Sequence, residues 1–301
     1  MNNYSQNYLK KLEAESIFII REAYACAKNP VVLYSIGKDS SVLLHLIKKA
    51  FWPGKVPFPL LHVDTGFKFP EMIEFRDRVV EEISAKLIVR KNESPEALAL
   101  KPEEAGTEKY VYFKKTKPLL DAIREHGFDI IFGGARREEE KSRAKERIFS
   151  FRNEFGVWDP KKQRPELWHL YNGNIAPGES IRVFPLSNWT EVNIWQYIKE
   201  EGIEIVPLYF AQERQVVRRG GALYRVDEHV RPAEGEEVLT VKCRYRTLGC
   251  APSTGAVLSE AEGLDEIINE VLAAKNSERE TRSIDKSSDF SLEQKKKEGY
   301  F

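Results

Sequence analysis

Ser35-Ile36-Gly37-Lys38-Asp39-Ser40 lies between two runs of different character: Val31-Val32-Leu33-Tyr34, short and apolar in the β manner, and Ser41-Val42-Leu43-Leu44-His45-Leu46-Ile47, apolar in the helical manner. A strand, a polar loop and a helix in that order aim backbone N–H groups and a helix N-terminus at the loop, which favours anions. Lys38 adds a mobile positive charge, and Ser35, Ser40 and Ser41 add hydroxyl donors. The loop reads as a phosphate cradle, with Ser35, Gly37, Lys38, Asp39, Ser40 and Ser41 as its nucleotide-binding residues. It is not a Walker A loop. That motif needs Gly, four residues, then Gly-Lys-Ser/Thr, whereas Val32 stands at the first Gly position and Asp39 follows the lysine.

Outward from this loop, strands and helices alternate. Leu9, Leu12, Ser16, Ile19, Ile20, Ala23 and Ala27 recur at helical spacing, so a helix precedes the first strand. Leu60 to Val63, Lys86 to Val89, Phe128 to Phe132 and Val183 to Leu186 read as four further strands, with helices predicted from Pro70 to Ser84 and from Lys117 to His126. Asn188, with Glu191 three residues on and Gly202 beyond the end, predicts a capped helix to about Glu201. The pattern implies an α/β fold with a parallel five-stranded sheet flanked by helices. Ligands of such sheets bind at the carboxyl ends of the strands. The polar clusters at Ser35, Asp64 and Gly133 all fall there and could line one crevice.

Residues 151–182 interrupt the alternation with a long aromatic, basic and Pro-containing stretch, expected to be an active-site loop or lid. After Phe210 the character changes. Gly220-Gly221 predicts a hairpin, Leu239 to Arg246 alternates between an apolar and a basic face, and Ser259 with Glu262 predicts the cap of a further helix. From Lys275 the chain is charged until Tyr300-Phe301, which reads as an extended tail. The expected organisation is an ATP-binding α/β domain over 1–210 and a partner-binding or substrate region over 211–301.

A length of 301 residues suffices for one sizeable core and an appended element. Lys+Arg and Asp+Glu are both 47, and this zero balance argues against a dedicated nucleic-acid or membrane-surface binder. No apolar run approaches a membrane span, and Met1-Asn2-Asn3-Tyr4-Ser5 is unlike a secretory signal. Cys26, Cys243 and Cys250 make neither a disulfide framework nor a zinc site. A cytoplasmic protein is expected.

Gly133-Gly134 ends the fourth strand, and the glycines let backbone approach a ligand. Arg136, Arg137, Lys141 and Arg143 follow and could meet several oxyanions, Arg with bidentate geometry. Glu138, Glu139 and Glu140 would balance that charge or help hold Mg²⁺; an ordinary solvated helix face would also account for the run. Asp64 could contact ribose hydroxyls, a Mg²⁺-bound water or the adenine edge, or simply form a turn. Asp39 could hold Mg²⁺ or brace the loop. His45 and His62 read as core or supporting residues, which leaves His169 as the histidine worth testing.

The loop resembles that of the PP-loop ATP pyrophosphatases, usually Ser-Gly-Gly-x-Asp-Ser, with Ile36 replacing one Gly. These enzymes cut ATP between the α and β phosphates. A closer resemblance, to the small catalytic subunit of heterodimeric bacterial sulfate adenylyltransferases, runs through Tyr34 to Ser41, His62 to Phe69, Gly133 to Arg152, Trp158 to Gly173 and Phe184 to Thr190. It continues in Arg246 to Cys250, Thr254 to Ala256 and Lys296 to Phe301. It implies adenylyl transfer from ATP to sulfate, giving adenosine 5′-phosphosulfate and pyrophosphate as the first step of sulfate activation. It further implies Mg²⁺, and coupling to GTP hydrolysis on a larger GTPase subunit in a heterodimer or higher assembly. Lys38, Arg136, Arg137 and Arg143 are then the candidate catalytic residues, the Arg cluster being the candidate sulfate site with Arg244 and Arg246 in reserve. Asp64, Gly133 and Gly134 join the nucleotide site. The alternatives are a reductase of adenylyl or phosphoadenylyl sulfate, which would need a nucleophilic cysteine nearer the C-terminus than Cys250, a tRNA-modifying or other nucleotidylyltransferase, and a nucleotide-sensing subunit without turnover.

Overall fold

The computed structural model describes residues 3–274 and Gly299, with backbone alone at 3–6, 141 and 142. The tail expected from Lys275, with its terminal aromatics, lies outside the described residues apart from Gly299. In chain order the first half runs α1 (Asn3–Cys26), β1 (Pro30–Leu33), α2 (Lys38–Phe51), β2 (Leu60–Asp64), α3 (Pro70–Glu82), β3 (Leu87–Lys91), α4 (Pro95–Leu98) and α5 (Glu108–Val111). A π-turn over Tyr112–Thr116 leads into α6 (Lys117–His126), β4 (Ile130–Phe132), α7 (Lys141–Ala144), β5 (Phe149–Arg152) and β6 (Ser180–Val183). The remainder is α8 (Glu191–Glu201), β7 (Gln212–Arg219), β8 (Ala222–Arg225), β9 (Leu239–Arg244), β10 (Val257–Leu258) and α9 (Leu264–Ala273).

The first sheet has the order β3-β2-β1-β4-β6-β5. The chain builds outward from β1 to β3 on one side, then returns to place β4 on the other, so the switch point lies between β1 and β4. Register fixes the central pairs: Val32 opposite Leu60 and Pro30 opposite Ile130, both parallel. Val31 faces Leu61, Ile131, Leu119 and Ala122 on one side of the sheet, while Val32 joins the larger core on the other. Both faces are thus covered by helices, as apolar parallel strands require.

Five parallel strands are present, although the fifth runs over Ser180–Val183 and meets the expected Val183–Leu186 only at Val183, because Phe184 to Ser187 close a turn; β5 adds a sixth, antiparallel strand at the edge, with Phe149 opposite Val183. Its pattern was hard to read because its buried polar side chains are neutralised in place: Arg152 pairs with Glu146 at 2.7 Å, and Ser150 donates to the same carboxylate at 3.1 Å. Residues 153–179 do not form a lid over the carboxyl ends of the strands. Glu166 accepts from the backbone of Ile148 and Phe149, and Gln163 accepts from Phe151 N–H at 2.8 Å. The stretch covers the open edge of β5, which would otherwise present unpaired backbone groups.

Two expected caps move. Trp189 N–H closes a turn on Leu186 O, so α8 starts later, capped by Thr190 reciprocally with Asn193, while Asn188 donates to Glu15 instead. Ser259 donates to Glu270, and Glu266 accepts from Gly263 N–H at the start of α9.

The second sheet, β10-β9-β7-β8, is antiparallel throughout, and its hairpin turns at Gly220 and Gly221, both at positive φ. It joins the main core through Val216, Leu223, Cys243 and Tyr245, which pack in the same cluster as Val32 and Leu46, while Val217, Ala222, Tyr224 and Val230 form a small cluster of their own. The basic face of β9 is satisfied within the chain, Lys242 by Glu260 and Glu262 and Arg244 by Glu270 at 2.8 Å. Among the described residues no helix is long and apolar enough to cross a membrane.

Candidate active site

A cleft of about 260 Å³ opens at the carboxyl ends of β1, β2 and β4. Its floor is the loop from Tyr34 to Gly37 and the first turn of α2. Gly37 precedes the helix with extended backbone, and no side chain caps it. That leaves helix N–H groups for a ligand, except at Lys38, whose N–H donates to the Tyr209 hydroxyl at 2.8 Å. Ser40 holds the loop by donating to Gly37 O at 2.9 Å, and Ser35 donates to Ser40 at 3.3 Å. Ile36 turns the corner at φ 70 with its side chain fully buried. A β-branched residue in left-handed backbone is strained, and here core burial offsets the strain.

Lys38 is 1% exposed yet lines the cleft, and its ammonium sits 3.1 Å from Asp39. Arg136 reaches the other Asp39 oxygen at 2.7 Å. Burial alone would raise the Asp39 carboxyl, but the Lys38 and Arg136 charges pull it down to about 2. Gly134 allows a close approach, because a Cβ there would stand 3.1 Å from the Asp39 backbone carbon and crowd it.

The expected residues separate into those on the wall and those behind it. Ser35, Gly37, Lys38, Asp39, Ser40, Gly134 and Arg143 line the cleft. Ser41 is buried behind the loop, and Gly133 donates its N–H to Val183 O within the sheet framework. Asp64 is the turn former: its carboxylate accepts from Gly66 N–H at 2.8 Å, and it stands off the wall. Arg136 is a brace rather than a wall residue, engaged by Asp39, Glu138 and Glu139. Arg137 points outward to Asn188. Of the reserve arginines, Arg244 is held by Glu270 and Arg246 by Glu191 at 2.8 Å. His169 is exposed near Glu15, away from the wall.

Several wall residues were not singled out from sequence. His62 lines the cleft, with Nδ1 bonded to Tyr34 O at 2.9 Å; burial, aided by the Lys68 ammonium, lowers it to about 4, so the ring is neutral. Leu33, Leu61, Val63 and Leu119 give an apolar side, while Lys68, Lys115 and the segment Thr247 to Gly249 close another. Lys68 follows the Asp64 turn and was legible as part of that loop. Lys115 rides on the π-turn, which has no sequence signature, although such turns recur at functional sites.

As a metal ligand Asp39 fits poorly, since both of its oxygens already meet cations. Among the described residues no group of three or more His, Cys, Asp or Glu could hold an ion. The arrangement can bind a polyanion at the loop and a flat apolar group beside it.

Residues 29–256 match the phosphoadenosine phosphosulfate reductase domain family. The chain is 59% identical to sulfate adenylyltransferase subunit 2 of Pseudoalteromonas translucida, over 98% of this chain and 99% of that one. It is 58% identical to the protein of the same name from Yersinia pestis, over 100% of both chains. Among solved structures, FMN adenylyltransferase of Candida glabrata in complex with ATP superposes with a TM-score of 0.51 at 15% identity, over 92% of this chain and 88% of that one, a likeness of fold.

Proposed function

The chain belongs to the sulfate adenylyltransferase subunit 2 family, within the wider phosphoadenosine phosphosulfate reductase domain family, and on that footing we propose how its residues carry the reaction. ATP and sulfate give adenosine 5′-phosphosulfate and pyrophosphate. A sulfate oxygen attacks the α-phosphorus, the bond to the α–β bridging oxygen breaks, and the electron pair leaves with pyrophosphate. No protein nucleophile is needed, because sulfate is the nucleophile. Catalysis then rests on positioning and on positive charge where the leaving group develops its own.

The observation that carries this reading is Lys38, a nearly buried ammonium on the cleft wall at the N-terminus of α2. It holds the departing pyrophosphate together with the free N–H groups of the loop and the hydroxyls of Ser35 and Ser40. Asp39, pinned by Arg136, fixes the direction of Lys38. Gly134 admits the phosphate chain, Arg143 approaches it from the β4 side, and the apolar side at Leu33, Leu61 and Leu119 receives the adenine. Mg²⁺ is not assigned to a protein carboxylate, and no step depends on a resident metal.

We further propose a GTPase large subunit as partner, whose GTP hydrolysis drives this uphill step, a cytoplasmic location and a place at the start of sulfate assimilation towards cysteine. Three free cysteines, two of them buried, fit a reducing compartment. Residues 1–210 are taken as the ATP-binding part and 211–301 as the substrate- and partner-facing part. Thr247 to Gly249, which bring the latter to the cleft wall, support that division. Reduction of a sulfonucleotide is disfavoured by Cys250, which is fully buried and contacts Thr65 rather than solvent.

The test is pyrophosphate release by the chain with its GTPase partner, ATP, sulfate, Mg²⁺ and GTP. Lys38→Ala should lower the sulfate-dependent rate on the order of 100-fold. An unchanged rate would mean that the loop does not grip the leaving group.

A further inference from the structure

The cleft has two cationic flanks. The loop after β1 is central, Arg143 stands on the β4 side, and Lys68 and Lys115 stand on the β2 side. Two strand spacings, about 10 Å, separate β2 from β4. The two carboxylates on the cleft wall, Asp39 and Glu139, belong to the loop and the β4 side, and Arg136 engages both.

The β2 flank is built rather than incidental. Ala251 N–H donates to Phe67 O at 2.8 Å, which clamps the segment after β9 to the loop after β2. Thr65 Oγ1 meets Cys250 Sγ at 3.1 Å. The Lys114 ammonium lies 5.2 Å from the Phe67 ring centre, and the Tyr110 ring stacks on Phe67 at 6.0 Å, which sets the π-turn and α5 against the same loop, while the Lys115 ammonium lies 5.9 Å from the Tyr110 ring centre. Lys68 and Lys115 act on Cys250 here, and the Asp64 carboxylate acts on Lys114 from the same turn. Burial would raise the Cys250 thiol, yet the Lys115 and Lys68 charges, with the Thr65 hydroxyl, bring it down to about 7. Burial and the neighbouring Lys91 ammonium also hold Lys114 below the ordinary lysine range.

An in-line displacement needs the nucleophile on the side of the α-phosphorus opposite the leaving group. With pyrophosphate held at Lys38 and the β4 flank, the opposite side is the β2 flank. A dianionic tetrahedral nucleophile must be drawn from water beside an already anionic nucleotide, which demands cations with fixed geometry. We propose that Lys68 and Lys115 form the sulfate subsite, holding the oxyanion for attack from the β2 side of the cleft. This assignment rests on the adenylyl-transfer reading and moves the sulfate grip from the expected cluster of Arg136, Arg137 and Arg143 to the β2 flank.

The experiment uses the intact complex with the partner subunit. Lys68→Met and Lys115→Met should each raise the KM for sulfate ~10-fold or more, the usual loss for one charge-assisted contact. The KM for ATP should move less than about threefold, and Lys115→Arg should recover most of the sulfate affinity. In parallel, acetylation of Lys115 in the unsubstituted complex, followed by mass spectrometry with a non-hydrolysable ATP analogue present, should slow on adding sulfate and not on adding chloride at equal ionic strength. An ATP KM that rises in step with the sulfate KM, or Lys115 labelling indifferent to sulfate, would overturn the subsite. If the unsubstituted complex shows no sulfate-dependent pyrophosphate release, the adenylyl-transfer reading fails instead, and the labelling experiment still decides whether the β2 flank binds sulfate.

Discussion

Ile36 concentrates the conflict between local and global demands in this chain. Its φ of 70 is glycine-like, and its side chain is wholly inside the core. Left-handed backbone costs an L-residue roughly 1–2 kcal/mol, while burying an isoleucine contributes about 1.5–3 kcal/mol. Ile36→Ala keeps the backbone cost and loses the burial, so it should destabilise by ~3 kcal/mol. Ile36→Gly loses the same burial but relieves the backbone, so it should be the more stable of the two by ~0.5–1 kcal/mol despite the greater freedom of its unfolded chain. Urea unfolding of both variants checks the order. An alanine variant more stable than the glycine one would mean that the loop is not strained at this corner.

At the scale of elements, the parallel strands and the phosphate loop were legible because each couples an apolar run to a polar end. β5 was not, since its inward residues Ser150 and Arg152 look solvent-facing until Glu146 is placed beside them. The same limit explains the arginines. A run of Arg and Glu after Gly133-Gly134 signals ligand binding and ion pairing equally, and only the fold shows Arg136 turned to Asp39 while Arg143 faces the cleft. The β2 flank was read in fragments, as a turn at Asp64 and a motif ending in Cys250, but their meeting through Phe67 and Ala251 joins residues far apart in sequence. Periodicity does not report such a contact. The aromatic stretch after β5 misled for a related reason: its length suggested a lid, whereas its hydrogen bonds shield a sheet edge.

For the whole molecule, the site and the stability are linked through protons. His62 has an ordinary value of 6.5 and is lowered to about 4 by burial first and then by the Lys68 charge. Below pH 6.5 the unfolded chain takes up a proton that the native ring refuses until about pH 4, so stability falls as pH drops through that window, by ~3 kcal/mol in all. Asp39 acts lower down: its native value of about 2 against 3.8 means that its contribution is present above pH 3.8 and is lost as pH falls through 2. Thermal unfolding should therefore show a declining Tm between pH 6.5 and 4, and His62→Gln should flatten that interval. A decline of the same size in the variant would place the titrating group elsewhere.

The central claim is that the cleft joins sulfate to the α-phosphorus and releases the β and γ phosphates together. The direct measurement supplies the complex with ³⁵S-sulfate and γ-³²P-ATP in the presence of GTP and pyrophosphatase-free reagents, and separates the products. The account predicts ³⁵S in a nucleotide with the mass of adenosine 5′-phosphosulfate, matched mole for mole by ³²P in pyrophosphate and dependent on sulfate. Label released as inorganic phosphate, or pyrophosphate formed without a ³⁵S-nucleotide, would contradict it.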